Sequence, residues 1–514
     1  MPLDIEEFRR RGYEAVDRIA DYYADIESHR VLSVVEPGYL KKLLPDNAPE
    51  DPESWDVIQA DFDNKIMPGM THWQSPNFFA FFPANSSFEG ILGDMYGGML
   101  NTIGFNWLCS PASTELETIV LDWMAKLIGL PGQFLSDGCG GGVIQPTASE
   151  AVIVVMIGAR DRVLNRCRRV EGKSEEEVAM VANRLIAYGS DQTHSCTHKA
   201  ALIANVRFRS LPTDDDFRLR GETVWAEVQN DMDEGLIPFF LTATIGTTSS
   251  GAVDAIDEIG EAGDVDQLSS LWLVQVNGTD IWLHIDAAYA GASLICPEYQ
   301  HLLKGVEHAD SFDFNMHKWL LTNFDCSLLW VKDRKPLIDA LSLTPAYLRT
   351  AQGDAGLVTD YKDWQLGLGR RFRSLKAWFV IRSYGAKGLR EHINKHIRLA
   401  SHFRALMAKH PDLLAISTPP TFALTVFNVL APLPEIEGVD SATLTRQTLE
   451  RINASGEIFL TLTELRKRPH IRLVPGSPWV EERHVEKAME VIVRCAKEVV
   501  AEMMAKVGAT LNQG

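Results

Sequence analysis

The feature that most constrains the fold is an alternation of short apolar runs with helical patterns through the middle of the chain. The runs lie at residues 185–188, 239–245, 281–285 and 327–331. Strands that alternate with helices in this way are typical of α/β domains, because crossover helices join parallel strands. The pattern therefore predicts an α/β fold with a mainly parallel central sheet.

The two ends of the chain have a different pattern. Apolar residues recur at helical spacing over residues 5–26, and a second helical stripe begins near residue 115, with Thr114 and Glu117 at capping-box spacing. An aromatic cluster at residues 72–83 is suited either to core packing or to lining a pocket. Beyond about residue 374 helices dominate, with a strand expected at 423–429 and a long helix at 482–504, which indicates a smaller α+β domain.

A glycine-rich segment at residues 138–142 leads into a predicted helix. Val143 stands where a dinucleotide fingerprint needs its third glycine, and no Gly-Lys-Ser/Thr follows as in a P-loop. Thr147 and Glu150 have capping-box spacing. A helix N-terminus with free N–H groups is suited to phosphate, although an ordinary capped loop is the simpler explanation of this segment on its own.

Two ionisable residues stand in apolar surroundings. Asp286 ends a buried-looking strand, at the edge where open α/β sheets bind ligands, although it could also be a helix N-cap. Lys318 lies among aromatic residues, where desolvation favours Schiff-base chemistry, although a lysine that reaches the surface is the simpler alternative. A phosphate cradle, an acid after a strand and a His-Lys pair together form the layout of a pyridoxal-phosphate enzyme.

The chain resembles the group II decarboxylases, and within them the aromatic-L-amino-acid decarboxylases. The resemblance covers nearly the whole chain and is carried by Met67-Pro68-Gly69-Met70-Thr71-His72-Trp73, Ser110-Pro111-Ala112-Ser113-Thr114-Glu115-Leu116-Glu117, Asn315-Met316-His317-Lys318-Trp319 and Leu366-Gly367-Leu368-Gly369-Arg370-Arg371-Phe372-Arg373-Ser374. It implies the pyridoxal-phosphate-dependent transferase fold (fold type I, aspartate aminotransferase-like). It also implies three domains: a helical dimerisation domain at 1–87, a large cofactor domain at 88–375 and a small C-terminal domain at 376–514.

The resemblance assigns roles to individual residues. Lys318 would form the Schiff base, Asp286 would pair with the pyridine N–H and His194 would stack on the ring. The remaining cofactor residues are Ala148, Ser149 and Asn315 at the phosphate, Thr248 and Ala288 along the ring, and His317 beside the lysine. The implied substrate pocket consists of Trp73, Phe81, Phe82, Pro83, Ile103, Phe105 and Gly369. Tyr347 would lie on a mobile loop and protonate the substrate carbon in the neighbouring subunit of a homodimer.

The implied reaction is decarboxylation of an aromatic L-amino acid. Related aldehyde synthases typically replace the tyrosine with Phe or the stacking histidine with Asn, so Tyr347 and His194 favour simple decarboxylation. Glycine at 369 favours tryptophan or 5-hydroxytryptophan, with DOPA, tyrosine and phenylalanine also accepted. An aldehyde synthase, a histidine decarboxylase and a non-catalytic pseudoenzyme remain alternatives.

Three features depart from the family pattern. Pro146-Thr147 stands where many relatives have Gly-Ser, and Ala84 replaces a frequent threonine at the pocket wall. The segment 262–280 is longer than in the animal enzymes, and a surface insertion is expected there. Because of the first departure, the sequence does not decide the conformation of the phosphate loop. Because of the second, it does not decide which residue contacts the substrate carboxylate.

Charge and cysteine content exclude several other classes. With 69 acidic and 50 basic residues the formal net charge is −19, which argues against nucleic-acid binding and against docking on anionic membranes. The 7 cysteines include no Cys-x-x-Cys pair, and the start of the chain lacks an apolar signal region, so a cytoplasmic setting is expected. A metal site at His392 and His396 is a weak alternative, since an exposed helix face explains their spacing.

Overall fold

The computed structural model describes residues 3–263, 281–432 and 439–511. Its α-helices are α1 Ile5–Ala24, α2 Tyr39–Leu43, α3 Trp55–Asp61, α4 Phe88–Leu100, α5 Pro111–Ile128, α6 Ala148–Arg169, α7 Glu175–Ala182, α8 Ser195–Ile203, α9 Gly221–Asp233, α10 Ile256–Gly263, α11 Met316–Trp319, α12 Lys335–Leu341, α13 Ala351–Asp354, α14 Arg373–Met407, α15 Ser441–Ser455 and α16 Glu482–Leu511. A π-helical turn at Phe62–Ile66 follows α3, and α14 is interrupted at Gly385, where φ is +60°.

The strands form two sheets. They are β1 Gly141–Gln145, β2 Leu185–Ser190, β3 Arg207–Leu211, β4 Ile237–Thr244, β5 Trp282–Asp286, β6 Ser311–Asn315, β7 Ser327–Val331, β8 Leu414–Ile416, β9 Thr425–Val429, β10 Thr461–Leu465 and β11 Arg468–Leu473. By packing, the described chain divides into a large unit, Ala84–Arg398 with Thr418–Leu424, and a small unit, Met1–Pro83 with Leu399–Ser417 and Thr425–Gly514. The three-domain division expected from the sequence stays a prediction.

The large unit contains the seven-stranded sheet, in the order β1-β7-β6-β5-β4-β2-β3. Pairs from β3 through β6 are parallel, whereas β7 runs antiparallel to both β6 and β1. The mainly parallel α/β sheet is thus confirmed, and all four apolar runs lie in strands of it. One face is covered by α6, whose apolar residues pack with Trp282 and Leu329 in a single core cluster.

Helix α6, which follows β1, has different residues at its two ends. It begins after its N-cap Thr147, and its last turn contains Arg166, Arg168 and Arg169. Cations at a helix C-terminus interact favourably with the helix dipole. The capping box expected from Thr147 and Glu150 is wrong, because the Thr147 side chain caps no backbone N–H and instead its hydroxyl donates to the Glu150 carboxylate.

The second expected capping box, at Thr114 and Glu117, is also wrong. Helix α5 begins earlier, at Pro111, because proline is well placed in a first helical turn. Thr114 and Glu117 are therefore interior positions, and both are buried. The Glu117 carboxylate accepts a hydrogen bond from the Ile144 N–H at 2.8 Å and pairs with Arg370, so it joins α5 to β1 rather than capping a helix.

The small unit combines helices with the four-stranded sheet, whose order is β10-β11-β9-β8 and whose pairs are all antiparallel. The predicted first and last helices correspond to α1 and α16, and the strand expected at 423–429 starts at Thr425. In the aromatic cluster Phe78, Phe79 and Ala80 are buried, so this part of the cluster is core. Within the described ranges, no helix is long and apolar enough to cross a membrane.

Candidate active site

Polar side chains collect where the central parallel strands end. Thr244 of β4 is paired in register with Asp286 of β5, which is paired in turn with Asp313 of β6. Paired residues of neighbouring strands project from the same face of a sheet. All three side chains are buried, as is Asn315 at the end of β6. This edge of the sheet is therefore the part of the large unit best suited to bind a polar ligand.

Asp286 is fixed at this edge by the turn that follows β5. Its Oδ1 accepts a hydrogen bond from the Ala288 N–H at 2.9 Å, and the Ala287 N–H donates to the Asp313 carbonyl at 3.0 Å. The side chain of Asp286 is only 6 % exposed. A buried carboxylate is costly unless a cation or several donors meet it, which makes Asp286 a site for a positively charged group.

Lys318 lies in the single turn α11, directly after β6. Its neighbours His317 and Trp319 are buried, whereas Lys318 is half-buried. The His317 Nδ1 accepts the Cys326 N–H at 2.8 Å, so in the neutral ring the proton is on Nε2, which can donate to a ligand. Burial lowers the pKa of His317 to about 4, and the charge of Lys318 acts in the same direction. His317 is therefore neutral near pH 7.

His194 comes from a third element, as the N-cap of α8. Its Nδ1 accepts the Cys196 N–H at 3.2 Å, which again leaves Nε2 as the donor of a neutral ring. Burial lowers the pKa of His194, Asp286 raises it and Lys318 lowers it. The sequence-predicted residues His194, Asp286 and Lys318 thus come together, although they lie far apart in the sequence.

The predicted phosphate residues lie at the start of α6 and the end of β6. Ala148 and Ser149 are in the first turn of α6, where N–H groups have no partner within the helix. Gly142, the last glycine before them, serves packing, because a Cβ there would lie 2.8 Å from Trp330 Cδ1. Asn315 Oδ1 is buried and has no hydrogen-bond partner in the described part of the chain. Amide donors for an anion, an acid for a ring nitrogen and a lysine for an aldehyde fit pyridoxal phosphate.

Two further predicted cofactor residues are in turns beside the sheet. Thr248 follows β4 and Ala288 follows β5, and both are half-buried. Tyr289, next to Ala288, stacks on Trp319 with ring centroids 4.6 Å apart. This stack joins the turn after Asp286 to the turn that contains Lys318.

The predicted substrate residues form two groups, one in each unit. In the large unit, a Cβ on Gly369 would lie 3.7 Å from Ile103 Cγ2, and the Phe105 carbonyl accepts the Lys362 N–H at 3.0 Å. In the small unit, Trp73 and Phe81 stack at 5.5 Å. Nearby, the Arg472 guanidinium lies 4.7 Å from the ring centroid of Phe82, and Pro83 packs against Gly476.

Tyr347 differs from every other predicted catalytic residue. It lies in the 3-10 turn Ala346–Leu348 between α12 and α13 and is 82 % exposed. Its hydroxyl makes no hydrogen bond to the described part of the chain. The single chain therefore does not bring Tyr347 together with His194, Asp286 and Lys318.

The expectation that His392 and His396 lie on an exposed helix face is wrong. Both are buried in α14. His392 Nε2 is 3.1 Å from Asn85 Oδ1, and His396 Nδ1 accepts the Trp319 Nε1–H at 2.8 Å. His396 therefore contacts the α11 turn directly, through Trp319. Burial lowers the pKa of His392 to about 3.

Comparison with known proteins agrees with this geometry. Residues 37–430 match the family described as the pyridoxal-dependent decarboxylase conserved domain. The chain belongs to the pyridoxal-dependent decarboxylase family. Its cofactor is thus pyridoxal phosphate, and its reaction class is that of a carboxy-lyase.

Relatives within the decarboxylase family match along nearly their whole length. Tryptophan decarboxylase 2 of Oryza sativa subsp. japonica is 47% identical over 508 residues, covering 98% of this chain and 97% of the relative. Phenylacetaldehyde synthase of Arabidopsis thaliana is 49% identical over 496 residues, covering 96% of each chain. The crystal structure of Oryza sativa TDC with PLP and tryptamine has a TM-score of 0.90 at 39% identity, covering 97% of this chain and 99% of that one.

Sequence reasoning missed two buried groups beside the site of this decarboxylase. Asp313 and His284 lie with Asp286 on one face of the sheet, and Glu117 and Arg370 form an ion pair next to Gly369. A signal for the first group was present, since polar residues alternate with apolar ones in β5 and β6. The ion pair had no local signal, because its members are far apart in sequence and pair only in the fold.

Proposed function

We propose that this decarboxylase acts on aromatic L-amino acids and releases CO2 and the corresponding arylalkylamine. Tryptophan or 5-hydroxytryptophan is the favoured substrate, and DOPA, tyrosine and phenylalanine are also accepted. The observation that carries the proposal is the convergence of His194, Asp286 and Lys318 at the carboxyl ends of β5 and β6. The relatives named above, a tryptophan decarboxylase and a phenylacetaldehyde synthase, support an aromatic substrate class.

The residues that would hold the cofactor occupy three sides of this site. The first-turn N–H groups of α6 and the Asn315 side chain would bind its phosphate, Asp286 its ring nitrogen and Lys318 its aldehyde carbon. Thr248 and Ala288 would line the ring. When bound, pyridoxal phosphate supplies an electron sink for the pair that is left on Cα as CO2 departs.

Each protein group then has one task. Asp286, buried and fixed by the Ala288 N–H, would face the ring nitrogen and favour its protonated form. His194, neutral because burial lowers its pKa, would lie against the ring without adding a competing positive charge. Lys318 would hold the cofactor until the substrate amine takes its place. The Tyr347 hydroxyl delivers the proton that Cα requires after CO2 has left.

Tyr347 performs this task, we propose, in the neighbouring subunit of a homodimer. In the single chain it is 82 % exposed, so a partner has to supply its surroundings. Helix α4 provides a suitable surface, because Leu92, Met95, Tyr96 and Met99 are exposed at helical spacing. Contiguous exposed apolar residues of this kind mark protein–protein interfaces. Each site would then need residues from both chains.

Mixing two inactive variants tests this arrangement. Lys318→Ala and Tyr347→Phe should each be inactive alone, but a heterodimer would combine one intact lysine and one intact tyrosine in one of its two sites. After refolding or co-expression at equal ratio, about a quarter of the wild-type activity should return, because half of the dimers are mixed and each has one intact site. No recovery from demonstrated heterodimers would show that Tyr347 serves its own chain.

Borohydride trapping tests the cofactor assignment directly. Reduction of the loaded enzyme should modify Lys318, and peptide mass mapping should locate the adduct there. Lys318→Ala should lose both the adduct and the visible absorbance of the bound cofactor. Lys335→Ala, which removes an exposed lysine in an ion pair with Asp339, is the matched control and should behave as wild type. An intact protein without any adduct would favour the pseudoenzyme alternative.

The substrate and the product are settled by one panel. Tryptophan, 5-hydroxytryptophan, DOPA, tyrosine, phenylalanine and histidine are assayed together for amine, aldehyde and hydrogen peroxide. We expect amine as the main product and the two indole substrates to be turned over best. Peroxide and aldehyde as main products would assign the chain to the aldehyde synthases, and histidine as best substrate to the histidine decarboxylases. We propose a cytoplasmic location, which imaging of a tagged chain tests.

A further inference from the structure

Two buried carboxylates lie side by side under the proposed cofactor site. Asp286 and Asp313 are register partners on neighbouring parallel strands and therefore project from the same face of the sheet. They are 6 % and 1 % exposed. The proposed role of Asp286 explains its burial, whereas nothing in that proposal uses Asp313. Two adjacent buried carboxylates are costly unless something nearby compensates them.

Hydrogen bonds link three side chains beside the second carboxylate. The Trp282 indole N–H donates to Ser311 Oγ at 2.8 Å, and the same Oγ is 2.9 Å from His284 Nδ1. Because an indole only donates, the Ser311 hydroxyl can direct its own proton to Nδ1. His284 Nε2 lies 3.4 Å from Asp313 Oδ1, but neither Nε2 nor the Asp313 carboxylate has a hydrogen-bond partner among the described residues. Asp313 is therefore a buried carboxylate that no hydrogen bond of the described chain compensates.

Charges on several elements act on Asp313. The titratable groups that face it are His284 and Asp286 on β5, Lys318 on α11 and Cys196 on α8. Burial raises the pKa of Asp313 to about 6; His284 and Lys318 lower it, and Asp286 raises it. Above this pH the charge of Asp313 is added beside Asp286.

We propose that Asp313 is a positioning residue whose charge strengthens the hold of Asp286 on the protonated ring nitrogen of pyridoxal phosphate. The inference rests on the proposed assignment of Asp286 to that nitrogen. A cation bound at Asp286 is attracted by both carboxylates, whereas the cofactor-free protein has only their mutual repulsion. The charge of Asp313 therefore favours the loaded enzyme twice, by stabilising it and by destabilising the cofactor-free form.

The dissociation constant of pyridoxal phosphate, measured across pH, tests this proposal. At about pH 8, Asp313→Asn should bind the cofactor about fivefold or more weakly than wild type, and at about pH 4.5 the two should be nearly equal, because Asp313 is then protonated in both the loaded and the cofactor-free enzyme. Thermal unfolding of the cofactor-free proteins should show the opposite sign, with the variant more stable than wild type at the higher pH only.

Three further proteins make the result decisive. Asp313→Ser should reproduce the asparagine variant, so that a folding defect of one neutral substitution does not decide the matter. Asp122→Asn, which removes a half-buried carboxylate bonded to Ser136, is the control for charge loss elsewhere and should match wild type at every pH. An affinity ratio that is constant with pH, or no change in affinity, would overturn the proposal. Wild-type protein that bound no cofactor would overturn the proposed function as well.

Discussion

The floor of the site and the segment with Tyr347 are built in opposite ways. Asp286 and Asp313 are buried in the middle of a sheet, and a turn and hydrogen bonds fix their surroundings. Tyr347 is exposed on a short 3-10 turn. The cofactor needs groups held at fixed positions, since electrostatic stabilisation depends on preorganisation. As the proposed proton donor, Tyr347 would approach the substrate carbon only after CO2 has left, and an exposed turn permits such movement.

A buried ion pair anchors one end of the segment with Tyr347 in the large unit. Arg370, at the far end of the segment with Tyr347, pairs with Glu117 of α5 and lies 4.9 Å from the Tyr361 ring. Its neighbour Gln365 accepts a hydrogen bond from Arg370 Nη1 at 2.7 Å. One end of the segment is therefore anchored on the core while Tyr347 is exposed. Fewer than thirty residues separate the exposed Tyr347 from the buried Arg370.

The largest effect is expected at the exposed Tyr347. Tyr347→Phe should lower amine formation about 10²- to 10⁴-fold, the usual contribution of general acid catalysis. Cofactor affinity should be unchanged, because the floor does not include this residue. The yields of aldehyde and hydrogen peroxide should rise, because substrate that is not protonated at Cα after CO2 has left can react with oxygen. Tyr13→Phe, at another exposed tyrosine, is the control, and normal amine turnover by the Tyr347 variant would remove it as proton donor.

The second prediction concerns the anchor. Glu117→Gln should lower the free energy of unfolding by about 3–5 kcal/mol, because the Arg370 charge is left buried without its partner. Chemical denaturation measures the loss. Glu6→Gln breaks an exposed pair with Arg9 on α1 and should change nothing measurable. Equal effects of the two substitutions would mean that the anchor is no stronger than a surface pair.

The third prediction concerns the pH dependence of stability that the buried His317 confers. Burial lowers the pKa of His317 to about 4 in the fold, so the stability it confers is fully present above about 6.5 and is lost as pH falls toward 4. Wild type should lose about 3 kcal/mol more than His317→Gln over this range. Urea unfolding at several pH values measures the difference. The exposed His301→Gln is the control, and parallel curves for all three proteins would contradict the assignment.

The smallest effect concerns substrate choice at the anchored end. Gly369→Ser adds a side chain whose Cβ would be in ordinary contact with Ile103, so the variant should fold. The added volume should disfavour indole substrates against single-ring ones by about tenfold in kcat/KM. The ratio of tryptophan to tyrosine turnover measures it. An unchanged ratio would place the specificity elsewhere in the pocket.

Sequence reasoning reached the fold and singled out Asp286 and Lys318 because these rest on local patterns, whereas it missed Asp313. The apolar runs placed β2, β4, β5 and β7, and the acid after β5 and the lysine after β6 were visible in the sequence. The capping boxes failed because spacing alone does not reveal that Glu117 meets Arg370. Likewise the burial of His392 and His396 depends on packing against Asn85 and Trp319. The expected insertion at 262–280 falls mainly on residues 264–280, outside the described part of the chain.

The two ends of α6 relate the supply of cofactor to the amount of protein in a cell. Its C-terminal arginines already match the helix dipole, whereas in the proposed site its N-terminus would receive the phosphate of the cofactor. Loading therefore completes the helix as well as the site, and a ligand present at a hundred times its Kd adds about 2.7 kcal/mol to stability. A shortage of the vitamin that provides the cofactor would thus lower both turnover per molecule and the number of molecules that escape degradation.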